Sequence, residues 1–271
     1  MFRSSRLWGI FAVLACVALT AVVPVRGEII TLEDLNSRAQ FEPNSADGQF
    51  NWVIDGVDYL VKQWFWFRIG PDGGERPVST LPLTGVKVLD SNFHPGPDTL
   101  FAQYTGEGLL MTLGFVLTGS HDGSRTSDIA ETISIKNISA QPLELHFFQY
   151  VDLNLGQPEM AEFLNANTVR QLGGQLMANE SVITPASSHR EAALAGATLA
   201  SLNDGLPTTL NDNVLMAGPN VTWAFQWDVV IPANGTFLIS KDKQIIPEPA
   251  TMVLLGIGSL VLGYARQRQT V

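Results

Sequence analysis

Apolar side chains recur at every second residue through most of the interior of this chain. Leu109, Met111, Leu113, Phe115 and Leu117 alternate with Thr112, Gly114 and Thr118, and Ile129, Ile133 and Ile135 repeat the period. Leu143, Leu145, Phe147, Val151, Leu153 and Leu155 continue it, with Gln149 as the one polar intruder. Trp223, Phe225, Trp227, Val229 and Ile231 then lead to Phe237 and Ile239. Successive side chains on extended backbone point to opposite faces, so a two-residue period marks half-buried antiparallel strands. Asn234-Gly235 predicts a type I′ hairpin between the last two strands, and Asp55-Gly56, Asp122-Gly123 and Gly173-Gly174 mark other reversals. Residues 158–167 and 208–217 are candidates for short helices, and no fixed-period repeat is visible. The expected fold is all-β: an antiparallel β-sandwich, with a β-barrel as the alternative.

The two ends break this pattern. Arg3 and Arg6 precede an apolar run over residues 7–23, which Pro24-Val25-Arg26-Gly27 ends before Glu28. This is the layout of a secretory signal peptide, a signal helix removed near Gly27. Cys16 lies inside the apolar run and reads as a small hydrophobe there. At the other end residues 250–264 carry no charge and are followed by Arg266 and Arg268. As a short hydrophobic helix rising ~1.5 Å per residue they would reach roughly 22 Å, short of a ~30 Å bilayer core. Gly256, Gly258 and Gly263 weaken the helix further. Such a segment suits a transient membrane stop that is later discarded, with a plain C-terminal anchor as the alternative.

Pro247-Glu248-Pro249-Ala250-Thr251, the apolar segment after it and the basic end resemble, in that order, the PEP-CTERM sorting signal of Gram-negative bacteria. The resemblance implies export by the secretion machinery, transient association with the inner membrane, and an exosortase as the partner that reads the tail. It also implies a setting at the cell surface or in an extracellular matrix, among the proteins that accompany exopolysaccharide and biofilm or floc formation. It implies no shared activity, because the family is united by its tail. Two departures are the split of the basic pair by Gln267 and the trailing Gln269-Thr270-Val271. The expected organisation is a signal peptide over 1–27, a β-sandwich domain over 28–246 and the sorting signal with its short transmembrane segment over 247–271.

Between the two end segments there is no cysteine, so an exported domain must be held by its core alone, without disulfides. Of 16 basic residues, Arg3, Arg6, Arg26, Arg266 and Arg268 belong to the ends, as does Glu248 of 26 acidic ones. The body therefore carries 11 basic and 25 acidic residues, a net charge near −14. That balance argues against nucleic acid or anionic lipid as a partner.

Four constellations are candidates for chemistry. On the strand from Leu143, the face opposite the apolar one presents Glu144, His146, Phe148, Tyr150, Asp152 and Asn154. Aromatic rings interleaved with carboxylate and amide groups suit a sugar, whose C–H faces stack while its hydroxyls need paired donors and acceptors. The alternative is that Phe148 and Tyr150 are covered by a loop or a neighbouring layer. Gln63-Trp64-Phe65-Trp66-Phe67-Arg68 sends Trp64 and Trp66 to one face. It is either a central strand buried on both sides or a tryptophan platform for carbohydrate.

His94, His121, His146 and His189 show no zinc spacing, so no metal ligand set is assigned. Asp47, Asp55, Asp58, Asp122, Asp128 and Asp152 leave calcium as a weak option, without the usual Asp-rich loop pattern. Finally Glu131, Glu144, Asp152 and Asp228 lie on or near expected strands and could supply a carboxylate pair for glycoside hydrolysis. A Gly-x-Ser-x-Gly elbow, a cysteine nucleophile and a phosphate loop are all missing from the body. No cofactor is expected. The favoured reading is a non-catalytic surface or matrix protein, and the alternative is a secreted carbohydrate-active enzyme using paired carboxylates.

Overall fold

The computed structural model describes residues 27–248. The expected signal helix, the apolar tail helix and motif residues Pro249, Ala250 and Thr251 lie outside the described residues. Eighteen strands run along the described residues. The first six are β1 (Ile30–Asp34), β2 (Ser37–Glu42), β3 (Gly48–Ile54), β4 (Val57–Asp58), β5 (Leu60–Ile69) and β6 (Arg76–Pro77). Then come β7 (Leu83–Leu89), β8 (Thr99–Gly106), β9 (Leu109–Thr118), β10 (Ser127–Asn137), β11 (Leu143–Leu153) and β12 (Glu159–Asn165). The last are β13 (Thr168–Gly173), β14 (Leu176–Thr184), β15 (His189–Leu194), β16 (Leu215–Gly218), β17 (Val221–Ile231) and β18 (Thr236–Pro247). Among the described residues one short α-helix, α1 (Ala197–Ser201), follows β15.

The strands form two nine-stranded sheets. The first has the order β1-β2-β3-β5-β11-β17-β15, with β4 on β3 and β6 on β5; the second runs β16-β12-β13-β14-β18-β10-β9-β8-β7. Pairing is antiparallel apart from a short parallel contact of β3 with β5. Each sheet keeps two separate edge strands, so the fold is a sandwich and not a closed barrel.

The core lies between the sheets, where the period-two apolar positions meet. Phe65 and Phe147 of the first sheet stack with centroids 5.6 Å apart, and Phe65 lies 6.3 Å from Phe115 of the second. At its centre is a charged quartet. Lys241 and Lys243 of β18 stand opposite Glu131 of β10 and Glu180 of β14 respectively. Lys241 pairs with Glu131, and with Glu180 at 3.1 Å; Lys243 lies 3.0 Å from Glu131 and 3.4 Å from Glu180. Gln63 and Gln149 of the facing sheet donate to Glu131 and Glu180 at 2.6 and 3.2 Å. Lys241 also sits over the Phe65 ring and Lys243 over Trp223, at 5.2 and 5.9 Å. All four charges are out of water, which is tolerable only because each has two partners of opposite sign.

Three local expectations need correction. Residues 158–167 form β12, not a helix: Glu159, Ala161 and Phe163 turn inward, Met160 and Glu162 turn outward, and β13 and β16 flank the strand. Residues 208–217 are extended and end in β16; the helix sits earlier, at α1. Asn234-Gly235 does not close a hairpin, because β17 and β18 belong to different sheets. The turn it completes, with Gly235 donating to the Pro232 carbonyl at 2.8 Å and Asn234 at φ 61°, carries the chain across the core instead. Asp55-Gly56 does form the mirror-image turn it predicts, with φ of 51° and 80° between β3 and β4.

Candidate functional site

The residues singled out for carbohydrate contact share one face of the first sheet, as a two-residue period requires. Register brings them into rows: Arg68, His146 and Asp228; then Trp66, Phe148, Gln226 and His189. The next rows are Trp64, Tyr150, Ala224 and Glu191, then Lys62, Asp152, Thr222 and Ala193. This face is not open. The segment 195–214, which includes α1, lies across it and buries Leu202 and Leu210 against it. Asn203 accepts from the Trp66 indole at 3.1 Å, Leu210 N donates to Gln226 at 2.8 Å, and Thr198 donates to Glu191 at 2.6 Å. Glu75 holds the same strap through Thr208 N while also pairing with Arg68 at 2.9 Å.

Trp64, Trp66, Phe148 and Tyr150 are consequently without exposed surface. Trp66 lies under the strap and Trp64 packs against Gly48 of β3, so the tryptophan pair is an internal layer and not an exposed platform. Burial raises the Tyr150 phenol above its ordinary range, with Asp152 adding to the rise. Trp64 is packed so closely that a Cβ on Gly48 would lie 2.0 Å from its ring.

The strap leaves both ends of the face distinct. At one end, groups from three strands and the strap form a chain. Asp212 meets His189 Nδ1 at 2.8 Å, and His189 Nε2 lies 3.8 Å from Asp228. Asp228 meets His146 Nδ1 at 2.6 Å, and His146 Nε2 lies 3.3 Å from Glu144. Gln226 donates to both Asp228 oxygens at 2.9 and 3.0 Å. Burial works to raise the Asp212 carboxyl, but hydrogen bonds from His189 and Arg190 outweigh it and hold the group below its ordinary value. His146 Nε2 has neither solvent contact nor a hydrogen-bond partner. The array ties the strap to β15, β17 and β11. Asp212 was missed in the sequence, and His189 was named there only as one of four histidines without zinc spacing, because most of β15, α1 and the rest of the strap separate the pair along the chain.

At the other end Asp152 is nearly enclosed, with Oδ1 lacking a partner. Burial, reinforced by the neighbouring Glu159, pushes its carboxyl up to about 6. A raised value means that the folded state prefers the protonated acid. Its stabilisation is full below the unfolded value and is lost as pH rises towards 6. Asp152→Asn is accordingly expected to stabilise the domain at pH 7, by up to about 3 kcal/mol, and to have little effect at pH 4. Urea unfolding at the two pH values reads this directly.

Of the four carboxylates considered for catalysis, only Glu144 and Asp228 come together, on either side of His146. Glu131 is locked in the core quartet, and Asp152 lies at the far end of the face. The aspartates considered for calcium are dispersed. Asp47 pairs with Lys62 at 2.8 Å, and Asp128 stands near Asp242, where burial and that like charge push it up to about 7. Asp55, Asp58 and Asp122 line one open cleft of about 1070 Å³. Asp55 already accepts from Gly123 N and Arg125 N, and Asp58 from Trp52 N and Leu60 N. Among the described residues no group of three or more His, Cys, Asp or Glu is arranged to hold a metal ion. Among them, too, no helix is long and apolar enough to cross a membrane.

The fold is shared with several solved structures at low sequence identity. A bacterial glucoamylase complexed with acarbose matches over 91% of this chain and 37% of its own, with 8% identity and a TM-score of 0.54. A putative aldose 1-epimerase from Escherichia coli K12 matches over 81% and 99%, with 8% identity and a TM-score of 0.52. A protein of Synechocystis sp. PCC 6803 matches over 84% and 99%, with 9% identity and a TM-score of 0.51. The chain thus spans little more than a third of the glucoamylase, and these likenesses establish architecture alone. No curated protein matches the sequence.

The last strand leads into the remaining match. β18 ends at Pro247, so the Pro-Glu-Pro motif begins inside the second sheet. Residues 246–269 match the PEP-CTERM protein-sorting motif, so the chain carries this C-terminal signal, which marks it for export with an exosortase as the processing partner.

Proposed function

We propose that this is a non-catalytic protein of the cell surface or extracellular matrix, retained with exopolysaccharide after exosortase removes its tail. The observation that carries the reading is a sorting motif joined directly to a sandwich whose aromatic face is sealed by its own strap. A sealed aromatic face favours a structural or adhesive role over turnover. The second reading, a carbohydrate-active enzyme, draws on the fold shared with the glucoamylase and the putative epimerase and on the partly exposed His146–Asp228 pair with Glu144 beside it.

The test is made in the exporting host. Intact mass of protein from envelope and medium is expected to end between residues 246 and 251, and Glu248→Ala is expected to leave export unchanged while abolishing tail loss. The processed protein is expected to sediment with the exopolysaccharide of that host. Protein that runs to Val271 in every fraction would sink the sorting reading. Turnover of a glycan by the purified protein, lost in Asp228→Asn, would favour the enzyme.

A further inference from the structure

We propose that the folded sandwich contains a docking site for the start of its own sorting motif, and that this site competes with exosortase for Pro247 and Glu248. The proposal rests on the exosortase reading above. Along most of its length β18 is held on both sides, by β10 and by β14. Its pairing with β10 stops where Ile245 meets Ser127. On the other side pairing continues, through Ile246 with Met177 and Pro247 with Leu176. Glu248 N then donates to the Gln175 carbonyl at 2.9 Å. The motif is therefore the one-sided end of a two-sided strand.

The docking site accepts proline without penalty. In an antiparallel pair, hydrogen-bonded and non-bonded positions alternate. Glu248 and Gln175 form a bonded position, so Pro247 opposite Leu176 occupies a non-bonded one. Its nitrogen points to the side that β10 has already vacated, where no N–H is needed. The carbonyl of Gln175 is offered by a turn fixed in place: Gly174 has φ 60°, and a Cβ on Gly173 would lie 2.5 Å from the Gly156 carbonyl oxygen. The site is thus a built edge, not a frayed end.

The tail has no slack to serve both partners. Between Glu248 and Met252, where the apolar run begins, lie only Pro249, Ala250 and Thr251. Four residue steps reach about 14 Å when fully extended. An enzyme that must seat the motif next to the membrane segment cannot do so while Pro247 and Glu248 remain in the sheet. The residues 246–248 have to leave β14 first. Peeling them costs one to two net backbone hydrogen bonds, enough to hold the free form to about one part in ten. Tail removal is then slowed by the fold that it releases.

Two measurements test this. In the full-length chain in detergent, hydrogen exchange is expected to show protected amides at Ile246 and Glu248; exchange at the rate of unstructured backbone would overturn the docking site. In the host, a flexible Gly/Ser spacer of about six residues between Ile246 and Pro247 frees the motif and leaves β18 paired through Ile246. Pulse-chase of this variant is expected to show tail loss about tenfold faster than the natural chain. Equal or slower loss overturns the competition. Glu248→Ala in the same spacer background separates the two ideas, because normal tail loss there removes the exosortase reading while the exchange result still judges the docking.

Discussion

Lys241→Met is expected to lower the unfolding free energy by about 4 kcal/mol, the cost of leaving buried charge without its partner. Lys241 touches both Glu131 and Glu180, and all three side chains are out of water. Methionine fills similar space but leaves one carboxylate in excess between the sheets, facing Phe65 and Phe147. For a domain of this size the change corresponds to a Tm lower by roughly 8–16 °C. Calorimetry of the tail-free protein provides the reading, and a loss under about 1 kcal/mol would mean that the quartet is hydrated or exchangeable. The same quartet sets acid stability. Burial pushes the Glu131 carboxyl up, but Lys241 and Lys243 more than offset this and hold it well below the usual carboxylate range. A depressed folded value gives stability that is complete above the unfolded value near 4.5 and is lost as pH falls below it. In Lys241→Met this acid-side slope should shrink.

Gly48→Ala is expected to cost about as much for a different reason. Gly48 has φ +56°, and an added Cβ would sit 2.0 and 2.1 Å from the ring atoms of Trp64. That tryptophan is fully enclosed between the first sheet and its surroundings, so it cannot swing away. Left-handed strain and forced repacking together give about 4 kcal/mol. Gly56→Ala is the matched control: φ is +80° there, but nothing lies near the added atom, so only strain of about 1 kcal/mol remains. If the two variants unfold at the same denaturant concentration, Trp64 is not packed against the β3 backbone as described.

The strands of the second sheet were legible because they bury one face. The alternation through Leu109–Leu117 and Ile129–Ile135 became β9 and β10 with their inward sides as expected. Where a strand is flanked on both sides but short, as in β12, its composition carried no decisive period and a helix was the wrong inference. Asn234-Gly235 was read as a hairpin since turn chemistry is local, whereas which sheet each strand joins is not. The candidate sugar face was correctly grouped by period two. Whether it was open depended on a strap some fifty residues further along the chain, whose irregular backbone has no periodicity to read.

The sequence by itself determined the all-β character and the sorting motif, since both depend on residues close together along the chain: side-chain alternation, and a short ordered string at the C-terminal end. Tertiary structure alone decided that Lys241 and Lys243 are inward partners of Glu131 and Glu180, that Trp64 and Trp66 form an internal layer, and that the motif starts within a paired strand. Each of these is a relation between distant segments. Strand order and register set them, and one residue type is compatible with either a buried or an exposed place until its neighbours across the sheet are known.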